Sequence, residues 1–162
     1  MDPRIIEDLT RLAETLSPES VMVVCSDDNP LPGRIADRLP ETPLTRLPTL
    51  SVRDGMSALK RHELVLVPDA LQLLSRDTAT HLIASMRDLY SETLYVLLPP
   101  DSPEGWAPQD LVALGLECVH HHPTPDGDHL LFRFNLKDYK KTPDWLNPRF
   151  WANPEMWGKA RW

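Results

Sequence analysis

The sequence predicts an α/β domain of three layers, with a mainly parallel sheet that ends in a C-terminal antiparallel hairpin. Short apolar runs at 21–25, 63–67 and 93–98 are each closed by polar or proline residues, as expected for strands covered on both faces. Helical periodicity fills the stretches between them, and a helix between consecutive strands implies a crossover and parallel pairing. Two later apolar stretches, 114–122 and 129–136, flank the turn PTPDGD too closely for a crossover, so they pair antiparallel.

Each element follows from its own residues. In RIIEDLTRLAETL, Ile5, Leu9, Leu12 and Leu16 recur at helical spacing until Pro18 stops the pattern, which predicts a first helix over 4–16. Val21 to Cys25 is apolar and rich in β-branched residues, and Ser26, Asp27, Asp28 and Asn29 end it. Pro32 suits the first turn of a short helix over 32–39, and 44–47 reads as a weaker strand between two prolines. Helix is expected over 52–61, strand over 63–67, helix over 77–90, strand over 93–98 and a short helix over 109–114.

With 162 residues, 41% hydrophobic and 25% charged, the chain has the length and composition of one globular domain with a real core. Its bounds are expected at 1–138, followed by a tail over 139–162 in which prolines are frequent and small aliphatic residues rare. Of the 11 aromatic residues, Tyr139, Trp145, Phe150, Trp151, Trp157 and Trp162 lie in that tail. They are interleaved with Lys140, Lys141, Arg149, Lys159 and Arg161, so the tail reads either as a cover for its own domain or as a contact for a protein partner or second copy.

Charge and glycine content exclude several classes. The net charge is −7, and 1–132 holds 10 basic against 21 acidic residues, which argues against nucleic acid or an anionic membrane as partner. The six glycines lie at least ten residues apart, so no clustered-glycine phosphate cradle exists. Cys25 and Cys118 form no CxxC pair, and the N-terminus carries neither a basic nor a long apolar leader, so a cytoplasmic protein is expected.

Parallel βα units, a short helix and a closing hairpin over 114–136 resemble the second half of the class I S-adenosylmethionine-dependent methyltransferase fold. That resemblance implies a glycine-rich turn after the first strand and an acid at the end of the second, for the cofactor's carboxylate and ribose. Here the turn is Ser26-Asp27-Asp28-Asn29 without glycine, and LTRLPTL offers no acid before Asp54. About 16 residues separate the second strand from the third, so one βα unit is expected to be missing. The whole chain, including the ending LNPRFWANPEMWGKARW, also resembles a small family of short bacterial proteins of unknown function with such a core and tail.

Four groups of residues are candidates for chemistry. Ser26, Asp27, Asp28 and Asn29 sit where open α/β sheets bind ligands, and would contact S-adenosylmethionine if it binds. Asp69 stands where the resembled family often puts a substrate or catalytic residue, and equally where an N-cap belongs, which is the expected role. Cys118, His120 and His122 share one face of an ideal strand, and a six-residue turn would set His122 opposite His129. His120, His122 and His129 are then the best metal trio, against the plainer reading of a polar hairpin margin. The tail supplies Trp145, Phe150, Trp151, Trp157, Trp162, Arg149 and Arg161 as partner anchors.

The expected function is a non-catalytic binding or regulatory protein without a cofactor. The alternative is a methyltransferase with a rebuilt S-adenosylmethionine loop.

Overall fold

The computed structural model describes residues 1–139, apart from the side chains of 54, 57, 138 and 139. Strands β1 (Val21–Cys25), β2 (Leu44–Pro48), β3 (His62–Val67), β4 (Ser91–Leu98), β5 (Glu117–Thr124) and β6 (Gly127–Asn135) form one sheet in the order β2-β1-β3-β4-β6-β5. β1 runs parallel to β2 and β3, and β3 to β4, whereas β6 is antiparallel to both β4 and β5. The six-stranded doubly wound order 3-2-1-4-5-6 carries two strands outside the first. Here only β2 lies there, as the short gap before 63–67 predicts.

Period-two alternation sends the residues of the inner strands into two cores. Met22, Val24, Val65, Val67, Leu94, Val96 and Phe132 face α3 (Val52–Gly55), α4 (Ala70–Leu73), α5 (Arg76–Ser85) and α6 (Pro108–Ala113). Val21, Val23, Cys25, Leu64, Leu66 and Leu97 face α1 (Pro3–Leu16) and α2 (Leu31–Arg38). All five residues of β1 are buried, which explains its unbroken apolar text. α1 starts where Asp2 accepts a hydrogen bond from the Arg4 N–H at 2.8 Å, and it ends at Ser17 with φ 44°. A last short helix, α7 (Leu136–Tyr139), follows β6.

Two expected elements are corrected. In place of one helix over 52–61, 3-10 turns at Thr49–Ser51 and Met56–Ala58 flank the single-turn α3. The segment lies against β2 so closely that a Cβ on Gly55 would sit 2.7 Å from Leu47 Cδ1, and Leu59 is already extended. The turn PTPDGD is also tighter than expected, because Thr124 pairs with Gly127 and leaves Pro125 and Asp126 as a two-residue loop. Gly127 has φ +123° there, and a Cβ would meet Pro100 Cβ at 2.6 Å. The pairing of His122 with His129 holds all the same.

The helix expected over 77–90 winds as α5 and then one π turn, Met86–Tyr90. No helix among the described residues is long and apolar enough to cross a membrane.

Candidate functional site

β1 has β2 on one side and β3 on the other, so the sheet's switch point lies at the carboxyl ends of β1 and β3. Asp69, two residues beyond β3, is buried there. Its carboxylate accepts hydrogen bonds from the Ser26 N–H (3.1 and 3.2 Å to the two oxygens), the Ser26 hydroxyl (2.7 Å), Asn29 Nδ2 (2.8 Å) and the Thr49 hydroxyl (3.3 Å). One side chain thereby ties together the segments that leave β1, β2 and β3. The expected capping role is corrected: Asp69 occupies the N-cap position of α4 but makes no side-chain cap bond, because its oxygens are turned back across the crevice.

The turn after β1 is closed on itself as well. The Asn29 N–H donates to Ser26 O at 3.2 Å, and Asn29 Oδ1 accepts from the Leu31 N–H at 3.0 Å. Arg46 on β2 donates to Ser26 O at 2.9 Å and to Asp27 Oδ1 at 2.8 Å. A helix N-terminus binds an anion through free N–H groups. At α2, Pro30 and Pro32 have none, Leu31 gives its own to Asn29, and Arg34 gives its own to Pro30 O, which leaves the Gly33 N–H as a single unbonded donor in this turn.

Cys25 is fully buried, and that burial pushes its thiol above the ordinary range, which favours an inert strand cysteine. Asp28 is exposed.

Beside this cluster lies a cleft of about 250 Å³ bounded by Met1, Ser26, Asp28, Asn29, Asp69 and Gln72. Met1 and Gln72 also border a larger groove of about 630 Å³, walled by Pro99, Pro100, Pro103 and Pro125 with Asp2, Asp101, Asp126 and His129. Five aspartates and no lysine or arginine line the two together. The Arg4 side chain and N–H hold Asp2 down to a pKa of about 2. Asp101 and Asp126 are exposed and form no ion pair with another described residue.

The histidines do not gather as a metal trio. A β-bulge between Cys118 and His120 pairs Cys118 with Phe132 and His120 with Leu131, which puts Cys118 and His120 on opposite faces rather than on one. His122 faces His129, but its Nδ1 pairs with Asp8 Oδ2 at 3.2 Å and its ring meets the His120 ring edge-on at 4.4 Å. His129 Nδ1 lies 3.5 Å from the Thr124 hydroxyl. Among the described residues no group of three or more His, Cys, Asp or Glu side chains is arranged to hold a metal ion. His122 is buried, which lowers its pKa, with the neighbouring His120 adding to the effect.

The tail candidates Trp145, Arg149, Phe150, Trp151, Trp157, Arg161 and Trp162 lie outside the described residues. Sequence reasoning missed Thr49 and Arg46. Neither belongs to a local motif, and parallel pairing alone brings them beside Ser26 and Asp69.

The fold is similar to that of an O-methyltransferase family protein from Burkholderia thailandensis, with a TM-score of 0.56 and 10% identity over 82% of this chain and 55% of that one. This chain therefore spans about half the length of that protein. It is also similar to magnesium protoporphyrin IX methyltransferase from Synechocystis PCC 6803 with bound SAM, at TM-score 0.53 and 10% identity over 80% of this chain and 77% of that one. A third likeness is to the N-terminal domain of EvdMO1 in the presence of SAH and D-fucose, at TM-score 0.52 and 12% identity over 83% and 84% of the two chains.

At such identities the likeness shows the fold, a class I methyltransferase-like core. Comparison with curated proteins gives no match. The model of a family of unknown function, DUF6231, matches residues 3–162, and the chain belongs to that family.

Proposed function

We propose that the protein is a non-catalytic binding or regulatory protein on a methyltransferase-like core, using no cofactor and contacting a protein partner through its groove and its aromatic tail. The bonding of Asp69 carries this reading. An ionised carboxylate has about four acceptor sites, and four donors from Ser26, Asn29 and Thr49 occupy those of Asp69. Its oxygens are turned to the protein's own donors rather than presented to a substrate. The Ser26 N–H, which would otherwise be presented to a ligand, is consumed in the same network. Trp145, Phe150, Trp151, Trp157 and Trp162, with Arg149 and Arg161, are of the types that dominate protein interfaces. The free thiol of exposed Cys118 supports a reducing, cytoplasmic setting.

Calorimetric titration of the full chain with S-adenosylmethionine and S-adenosylhomocysteine tests the reading. The expected result is no saturable heat at millimolar ligand; a stoichiometric, micromolar isotherm overturns it. One observation favours the second reading, a methyltransferase with a rebuilt loop: the cleft and the groove, lined together by five aspartates and no lysine or arginine, suit a sulfonium cation. The same titration decides between them.

A further inference from the structure

We propose that the acidic groove is occupied by the chain's own C-terminal segment, residues 140–162, docked within one molecule. The inference rests on the reading that no nucleoside cofactor fills the groove. Its walls combine the rings of Pro99, Pro100, Pro103 and Pro125 with the carboxylates of Asp101 and Asp126. Proline rings offer flat apolar surface without an N–H, which aromatic side chains cover well. The segment brings Trp145, Phe150, Trp151, Trp157 and Trp162 to that surface.

Charge points the same way. Residues 1–139 carry 12 basic and 22 acidic side chains, whereas 140–162 carry five basic and two acidic. Asp101 and Asp126 have no ion pair among the described residues, so they are the open anionic positions beside the proline walls. The other large cavity, of about 410 Å³ between α1 and β5, contains the cation Arg11 beside its one aspartate, Asp8, which lies 3.2 Å from His122 Nδ1. It offers a basic, aromatic segment a weaker match.

Length permits the contact. The described chain ends at Tyr139, just after β6 has run back past Thr93 near the start of β4. Crossing β4 to the groove covers about 26 Å at the strand rise, and the 23 residues beyond Tyr139 reach about 75 Å when extended. A partner of the groove must then displace this segment.

Zero-length carbodiimide cross-linking of the full chain tests the docking. The expected products join Asp2, Asp101 or Asp126 to Lys140, Lys141 or Lys159 within monomers, at a yield that does not change on dilution. Asp101→Lys with Asp126→Lys lowers the yield of links at the remaining groove carboxylates at least fivefold. So does Arg149→Glu with Arg161→Glu, and combining all four substitutions restores it. Links confined to dimers, links from the same lysines to Asp8 instead, or their absence with and without S-adenosylhomocysteine overturn the proposal. If S-adenosylhomocysteine abolishes links formed in its absence, the docking stands and the cofactor-free reading fails.

Discussion

Replacing Asp69 by alanine removes one acceptor from four donors at once, namely the Ser26 N–H, the Ser26 and Thr49 hydroxyls and the Asn29 amide. A hydrogen bond to a charged group contributes about 1.5–3 kcal/mol, and a buried polar group left unpaired costs about 1–3 kcal/mol. Ser26 and Asn29 are only partly buried, so water recovers much of their loss, whereas Thr49 is fully buried and stays unsatisfied. The expected destabilisation is therefore about 3–4 kcal/mol, within the range for breaking one side of a buried charged network.

Equilibrium urea unfolding of the full chain reads this as a fall in midpoint of about 2 M, with m in the usual range of about 1–3 kcal/mol per molar. Thr49→Val, which deletes only the 3.3 Å bond, should cost about 1 kcal/mol. A midpoint for Asp69→Ala indistinguishable from the parent would refute the network, and would fit a carboxylate kept free for chemistry.

Other outcomes follow from the same geometry. The buried His122 has a folded pKa below its ordinary value of 6.5, so the unfolded chain takes up its proton first as pH falls. Stability contributed by neutral His122 is full above pH 6.5 and declines as pH drops from there towards the folded pKa. Melting temperatures between pH 8 and 5.5 should fall in the parent and fall less in His122→Gln; parallel curves would count against this assignment. Gly127→Ala combines φ +123° with a contact of 2.6 Å to Pro100 Cβ, so it should lose about 1–3 kcal/mol in the same unfolding assay. Arg46→Ala removes only exposed bonds to Ser26 O and Asp27, and should change stability by less than about 1 kcal/mol.

The strands were legible because their signal is local. The run Val21–Cys25 is buried on both faces and has the bounds read from its apolar text. The hairpin and the missing outer strand were likewise visible, from the short spacer at 123–128 and the short gap before 63–67.

The break in 52–61 was not legible, since the helical pattern there gives no sign that Gly55 must admit Leu47. Nor was the bulge at Val119, which separates Cys118 from His120 and undoes a face assigned from ideal alternation. The network around Asp69 was hidden for a different reason. Its members come from positions 26, 29, 49 and 69 and meet only when three parallel strands are in register, so local spacing offered a cap or a catalyst but not a cross-link.

Hydrogen exchange at the Ser26 amide, followed by NMR with and without S-adenosylhomocysteine, probes the closed crevice most directly. Held by Asp69, that amide should exchange slowly in the free protein and at an unchanged rate with the nucleoside present. Fast exchange in the free protein, slowed by the nucleoside, would mean that the turn after β1 is open to a ligand.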